Sequence, residues 1–201
     1  MVKVNSTKAT SPLGGAVHGG LDKNIYLAEV PYTPGIDLRV DPTSPAFAAV
    51  NQALGLILNP QVGSVVRKNA DCIVSQDQQP SADGISALCL GPDWWLLTGT
   101  ADIASLLRPV QEAHHISVVD VSAQRTKIEI YGPKVKEILG HVWEQDLRDS
   151  TFPIDACTQG LMAKSPVILW HCCENCYLIF VRSSFAQHLW DVIADATVEY
   201  L

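Results

Sequence analysis

The chain has 201 residues, 47% of them hydrophobic and 17% charged, with a formal net charge of −7. This length and composition allow one globular core, or two small lobes that share one, and exclude disorder as the overall state. The chain has no basic run and no apolar run near the ~18 residues of a membrane-spanning helix, so neither nucleic acid nor a membrane is an expected partner.

Short runs of β-branched and aromatic residues predict strands along most of the chain. Residues 1–23 are the exception, because they are rich in Ser, Thr, Gly and Pro, lack periodicity and predict a flexible N-terminal arm. A hairpin is predicted over residues 84–99, with its turn at Gly91-Pro92-Asp93. The other predicted strands cover residues 24–32, 36–40, 63–76, 116–122, 125–132, 158–165, 166–171 and 176–181.

Two helices are predicted in the first half of the chain. The first takes Ser44 as its N-cap and Pro45 as its first residue, and the second follows Thr100 as a cap and covers 101–115. Pro109 should bend or end the second helix because proline lacks the backbone donor that the helix needs. The buried face of the first helix is predicted to carry Phe47, Val50, Leu54 and Ile57.

Two more helices are predicted in the second half. One opens at Pro133 and closes at Gly140, and the last begins at Ser183 or Ser184. Hairpins alternating with helices indicate an α+β fold with mainly antiparallel sheets, and they disfavour a doubly wound parallel sheet. The predicted division is a domain over 24–201 with lobes of roughly 24–115 and 116–201. The buried face of the last helix is predicted to carry Phe185, Leu189, Val192 and Ile193.

The segment "HCCENC", residues 171–176, holds three of the six cysteines. It lies between two predicted strands, and Glu174-Asn175 fits a two-residue hairpin loop, so Cys173 and Cys176 should face each other across a solvent-facing turn. A zinc site normally takes four Cys or His ligands, and no second pair with matching spacing accompanies Cys173 and Cys176. The favoured interpretation is a plain hairpin; metal binding by Cys172, Cys173, Cys176 and His171 and a reversible disulfide remain alternatives.

Other candidate residues have plain structural interpretations. The pair His114-His115 should cap a helix end, and Asp120 near Arg125 should stabilise a turn. One indole of Trp94-Trp95 should lie in the core and the other should be exposed. Cysteines 72, 89 and 157 have apolar neighbours and are expected to be buried in a reducing cytoplasm. Dinucleotide, P-loop and nucleophile-elbow motifs are absent from the sequence, so no catalytic, cofactor-binding or metal-binding residue is predicted.

In chain order, several strings resemble the gamma-subunit family of heterotetrameric sarcosine oxidases. The resemblance covers Ser11 to Tyr200 and its most specific parts are structural strings, not catalytic motifs. These parts are "LGPDWWLL" (90–97), "VVDVS" (118–122) with Arg125-Thr126, and "VRSSFA" (181–186) with Leu189-Trp190.

The resemblance implies a fold related to the folate-binding domain of the glycine-cleavage aminomethyltransferase. It implies a non-catalytic assembly subunit that contacts the alpha subunit and also belongs with beta and delta subunits, in addition to the cytoplasmic location expected from the N-terminus and the cysteines. It places FAD, FMN, NAD, tetrahydrofolate and zinc in those partner subunits and no cofactor on this chain. A free-standing folate-binding or one-carbon-transfer protein of the same fold is the alternative, because a shared fold does not fix the site.

Overall fold

The structure, a computed structural model, describes residues 11–30, 32, 34–70 and 83–201. A six-stranded antiparallel sheet has the order β1-β2-β8-β11-β10-β9, and a five-stranded antiparallel sheet has the order β4-β5-β6-β3-β7. The strands are β1 (Val17–Gly19), β2 (Tyr26–Glu29), β3 (Gly35–Arg39), β4 (Val65–Lys68), β5 (Ile85–Gly91), β6 (Trp94–Gly99), β7 (Ser117–Asp120), β8 (Arg125–Tyr131), β9 (Cys157–Met162), β10 (Ser165–Cys173) and β11 (Cys176–Arg182). The predicted α+β class with mainly antiparallel sheets is confirmed.

The sheets form the middle of a four-layer sandwich of helices, sheet, sheet and helices. Helices α1 (Pro45–Leu54) and α2 (Ile103–Ala113) pack on the five-stranded sheet, while α3 (Val135–Val142) and α4 (Ala186–Ala196) pack on the six-stranded sheet. None of the helices in the described ranges is both long enough and apolar enough to cross a bilayer.

A third apolar cluster, which we call the inter-sheet layer, lies between the two sheets. The central strands β5 and β11 are therefore covered on both faces, which explains why they read as continuous apolar runs and not as alternating ones. The inter-sheet layer contains Val30, Val65, Leu88, Leu90, Leu96, Cys157, Ile168, Trp170, Cys172, Cys176, Leu178 and Phe180.

The first half of the chain contributes β1 and β2 to the six-stranded sheet, and the second half contributes β7 to the five-stranded sheet. Strand β2 pairs with β8, with Leu27 opposite Ile130, and β7 pairs with β3, with Val118 opposite Leu38. The predicted strands on either side of residues 123–124 therefore lie in different sheets. The division into lobes at residue 115 stays a prediction.

The helix ends differ in detail from those predicted. Helix α1 ends at Leu54 because Gly55 adopts a left-handed conformation (φ 59°), and Ile57 is 80% exposed, so its predicted place on the buried face is wrong. Helix α2 is capped by Asp102, which accepts from Ser105 N at 3.1 Å, and it continues through Pro109.

In the second half, α3 runs past Gly140 to Val142, so this glycine does not end the helix. The segment Ser183–Phe185 forms a 3-10 turn before α4, and Phe185 is 40% exposed instead of buried. Leu189 and Ile193 are buried as predicted, together with Ala186 and Trp190.

Part of the predicted flexible arm packs on the six-stranded sheet. Residues 17–19 form β1, and Leu13 and Ala16 contact the core beneath α4. The backbone of this N-terminal segment, residues 11–19, bends around Glu29: Leu13 N and Gly15 N donate to the carboxylate at 3.2 and 2.8 Å. Residues 1–10 lie outside the described residues, as do residues 71–76 of the predicted strand 63–76.

Candidate functional site

The cysteine-rich segment forms the predicted hairpin. Strands β10 and β11 meet at Glu174-Asn175, where Asn175 adopts a positive φ of 56° that asparagine tolerates. Cys173 lies directly opposite Cys176, as predicted. The hairpin is therefore a structural turn built by local sequence, whatever else its cysteines do.

The sulfur atoms of this hairpin point toward the protein interior. A register shift between His171 and Cys173 interrupts the alternation of β10, and the sulfur atoms of Cys172, Cys173 and Cys176 lie within 4.8 Å of one another. Cys172 and Cys176 are fully buried, and their sulfur atoms are 3.2 Å apart. The turn is exposed at Glu174 as predicted, but Cys176 beside it is buried because the five-stranded sheet covers this face of the hairpin.

A carboxylate from another strand joins the cysteines. Glu129 on β8 is 3% exposed, and its Oε1 accepts from the Cys176 thiol at 3.5 Å. Burial raises the pKa of Glu129 to about 7, and this hydrogen bond opposes the rise. Contact with the Cys172 thiol, followed by burial, raises the pKa of Cys176 far above its usual range, so this group is a neutral thiol and not a nucleophile.

The oxidation states of the cysteines differ. Cys173 is disulfide-bonded, whereas Cys89, Cys157 and Cys176 are free thiols. The predicted burial of Cys89 and Cys157 is confirmed, with exposed fractions of 1% and 3%. The predicted burial of Cys72 concerns a residue outside the described ranges.

A lysine shares the face of β8 that carries Glu129. Lys127 Nζ donates to Thr98 Oγ1 at 2.8 Å and lies 5.8 Å from the centre of the Phe180 ring. Burial lowers the pKa of Lys127 to about 7. The cleft beside Lys127, which Arg125 and Ser122 also line, has a volume of about 20 Å³. That space accommodates roughly one water molecule and no organic substrate.

A larger surface groove of about 680 Å³ lies between two loops. Its size suits a small ligand, but the reactive groups at its base are engaged or neutral. Asp155 Oδ2 accepts from Arg67 at 2.9 Å, and burial raises the pKa of the Cys157 thiol to about 12. The groove is lined by residues 61–64, 89–90, 145–146, 150–153 and 155–159.

The remaining candidate residues lie at a helix end, in a turn and on a strand. His114 ends α2, where its N–H donates to Val110 O. Asp120 accepts from Ser122 N at 2.9 Å and stabilises the turn after β7. Trp95 is fully buried as predicted, while Trp94 is half-buried instead of exposed and donates its indole N–H to Asp37 at 2.8 Å.

Comparison with known proteins relates this architecture to one family. The model of the sarcosine oxidase, gamma subunit family matches residues 39–199. The chain belongs to this family. It is 29% identical over 184 residues to the sarcosine oxidase subunit gamma of Corynebacterium sp. strain P-1, covering 90% of this chain and 84% of that one. It is 30% identical over 182 residues to the subunit of strain U-96, covering 89% and 82%.

Solved structures agree with this family assignment. A chain of the heterotetrameric sarcosine oxidase from Corynebacterium sp. U-96, in complex with pyrrole 2-carboxylate, superposes with a TM-score of 0.79 at 27% identity and 94% coverage of both chains. The glycine cleavage system aminomethyltransferase T from Bartonella henselae matches with a TM-score of 0.62 at 10% identity, over 92% of this chain and 56% of that one. The gamma subunit thus has the aminomethyltransferase-like fold expected from the resemblance.

The sequence does not indicate that Lys127 and Glu129 on β8 are enclosed between two sheets. Lys127 and Glu129 alternate with Thr126, Ile128 and Ile130, a pattern that is typical of a strand with one solvent-facing side. The five-stranded sheet covers that side instead. A second covering sheet can be recognised only from the whole topology.

Proposed function

We propose that this chain is the non-catalytic structural and assembly subunit of a heterotetrameric sarcosine-oxidase-type complex. The observation that carries the proposal is the extent of the match: 94% of this chain and 94% of a chain of the Corynebacterium heterotetramer superpose with a TM-score of 0.79. Almost nothing in this chain is left over to form a separate active domain.

The buried groups support a structural role. The thiols of Cys157 and Cys176 are held neutral by burial and by contact with other thiols, and Lys127 faces a cleft with room for about one water. A catalytic nucleophile needs an adjacent base together with space for a substrate. Cys157 lines the larger groove but is held as a neutral thiol, Cys176 is fully buried, and the cleft at Lys127 is too small for a substrate.

The proposal extends to the partners and cofactors. The subunit would contact the alpha subunit first and complete a complex with the beta and delta subunits. FAD, FMN, NAD, tetrahydrofolate and zinc would be held by those partner subunits, and the complex would reside in the cytoplasm. The likeness to aminomethyltransferase T, at 10% identity, concerns the fold alone and gives this chain no folate site.

Co-expression with and without this chain tests the proposal. We expect the other three subunits alone to form less complex on gel filtration, with lower heat stability and lower sarcosine oxidation, and we expect added purified chain to restore all three. An equal mass of an unrelated globular protein is the control. The isolated chain should lack flavin absorbance and should not oxidise sarcosine with an artificial electron acceptor. Full assembly without the chain, or turnover by the chain alone, would contradict the proposal.

A further inference from the structure

Three sulfur atoms converge at one point beside the inter-sheet layer, and a carboxylate oxygen lies next to one of them. Cys172, Cys173 and Cys176 supply sulfur atoms that lie within 4.8 Å of one another, and Glu129 Oε1 lies 3.5 Å from Cys176 Sγ. We call these four residues the donor cluster. They come from the β10–β11 hairpin and from β8, which pairs with β11.

Backbone features explain why the donors converge. On a regular strand, consecutive side chains point to opposite faces, so Cys172 and Cys173 would be separated by the sheet. The register shift in β10 breaks this alternation, and the two-residue turn returns Cys176 to the position opposite Cys173. Strand β8 lies next to β11 and places Glu129 opposite Leu178, two residues from Cys176.

Two separations in the donor cluster are close to those around a tetrahedral metal ion. Zinc–sulfur bonds of about 2.3 Å imply sulfur atoms about 3.8 Å apart, and a zinc–oxygen bond of about 2.1 Å implies a sulfur–oxygen separation of about 3.6 Å. The observed Cys176–Glu129 separation is 3.5 Å, and the Cys172–Cys176 separation is 3.2 Å. The sulfur atoms are thus already close enough to share one ion, and a movement of the Glu129 side chain toward Cys172 and Cys173 would complete a tetrahedral donor set.

We propose that the donor cluster binds one soft divalent cation of the zinc type, and that reduction of the disulfide at Cys173 completes the site. Thiolates favour such cations, and a fourth ligand from a carboxylate closes the shell. The fourth ligand lies 47 residues from Cys176 in the chain, which is why no paired cysteine motif announces the site.

The redox step balances with an ordinary dithiol reductant. Two electrons and two protons from the dithiol convert the Cys173 disulfide into two thiols, and the reductant becomes a disulfide. Metal binding then displaces the thiol protons to solvent. With Cys173 oxidised, its sulfur is not available as a thiolate, and the site lacks one of its three sulfur ligands.

Cobalt binding by the purified full-length chain tests the site, because thiolate-bound tetrahedral Co²⁺ gives a charge-transfer band and intense visible bands. After reduction with a phosphine, which does not compete for the metal, we expect one equivalent of Co²⁺ to bind and Zn²⁺ to displace it. Without reduction the same sample should bind less than a tenth of an equivalent.

Substitutions locate the ligands. Cys172→Ser, Cys173→Ser and Cys176→Ser should each weaken zinc binding at least about 100-fold, since even losing a hydrogen-bond partner of a ligand costs about 10–100-fold. Glu129→Gln should weaken it about 10–100-fold while keeping the shape of the side chain. Cys89→Ala is the matched control: Cys89 is equally buried, donates to Gly91 O and should leave binding unchanged.

Two results would overturn the proposal. If the reduced and folded wild-type chain shows no thiolate–cobalt band, the metal site does not exist. If cobalt binds equally before and after reduction, the disulfide at Cys173 does not regulate metal binding. Circular dichroism of each variant distinguishes the loss of a ligand from the loss of the fold. If a cysteine variant unfolds, Glu129→Gln still tests the site, because we expect its circular dichroism spectrum to match that of the wild type. Assembly with the other subunits is measured separately, so either idea can fail alone.

Discussion

Replacing Glu29 by Gln tests how the N-terminal segment is held on the six-stranded sheet. Glu29 is 5% exposed. Its Oε1 accepts from Leu13 N at 3.2 Å and from Thr126 Oγ1 at 2.7 Å, while Oε2 accepts from Gly15 N at 2.8 Å. Glutamine has the same shape but only one oxygen, so in either orientation its amide group faces at least one of these donors.

The expected loss of stability follows from these bonds. A hydrogen bond to a charged group contributes about 1.5–3 kcal/mol, and a buried donor left without an acceptor costs about 1–3 kcal/mol. Since one or two donors lose their acceptor, Glu29→Gln should lower the free energy of unfolding by about 2–5 kcal/mol. For a chain of this size, the melting temperature should fall by roughly 5–15 °C.

The effect should depend on pH. Burial alone would raise the pKa of Glu29, but hydrogen bonds from Ser11, Thr126, Gly15 and Leu13 outweigh it and hold the pKa below its ordinary value of 4.5. A pKa that is lower in the folded chain adds stability above the unfolded value, and this contribution is lost as the pH falls through the folded pKa. The difference between wild type and Glu29→Gln should therefore shrink below about pH 4.5.

Thermal melts at neutral and acidic pH, with Glu137→Gln as the control, measure both effects. Glu137 pairs with Lys134 at 2.7 Å, but its side chain is 53% exposed, so its replacement should change stability by less than about 0.5 kcal/mol. If Glu29→Gln melts as close to wild type as the control does, the carboxylate does not anchor the N-terminal segment.

One deletion and four substitutions have expected outcomes in the same melts. Deleting residues 1–16 should lower the melting temperature at least as much as Glu29→Gln, because it removes the backbone donors and leaves the carboxylate buried; an unchanged melt would restore the flexible-arm prediction. Gly132→Ala should destabilise by more than about 2 kcal/mol since its Cβ would clash with Asn24 O, whereas Gly140→Ala, with open space around it in α3, should stabilise by about 0.5–1 kcal/mol. Arg67→Met should cost about 1–2 kcal/mol because it leaves Asp155 partly buried without its cation, and adding Asp155→Asn should recover part of this in a double-mutant cycle.

Local signals in the sequence predicted the elements well where a single feature dictates the backbone. The turn at Gly91-Pro92-Asp93 and the loop at Glu174-Asn175 join the expected strands, and Ser44-Pro45 marks the start of α1. These features act within a few residues, so no tertiary information is needed. Helix ends were predicted less well: α3 includes Gly140, and Asp102 rather than Thr100 caps α2, since neighbouring residues offered competing caps.

Tertiary packing overrode composition in the N-terminal segment. Ser, Gly and Pro predict disorder because they bury little apolar surface. Here the carboxylate of Glu29 offers acceptors to backbone N–H groups of Leu13 and Gly15, and Gly14 and Gly15 adopt the positive φ angles, 64° and 76°, that this bend requires. A buried glutamate that recognises a glycine-rich segment 14 residues earlier has no periodic signature.

The donor cluster is likewise formed by tertiary packing, here between neighbouring strands. The hairpin was predictable because its turn is local, and spacing rules for metal sites look for a second pair of ligands along the chain. In this fold the register shift in β10 turns Cys172 toward Cys176, and the sheet order brings Glu129 from β8 to the same place. Sheet order depends on how all the strands pair, so a donor set of this kind is a property of the topology. Sequence spacing can therefore exclude a zinc finger at this hairpin, but it cannot exclude a site whose last ligand lies on a neighbouring strand of the sheet.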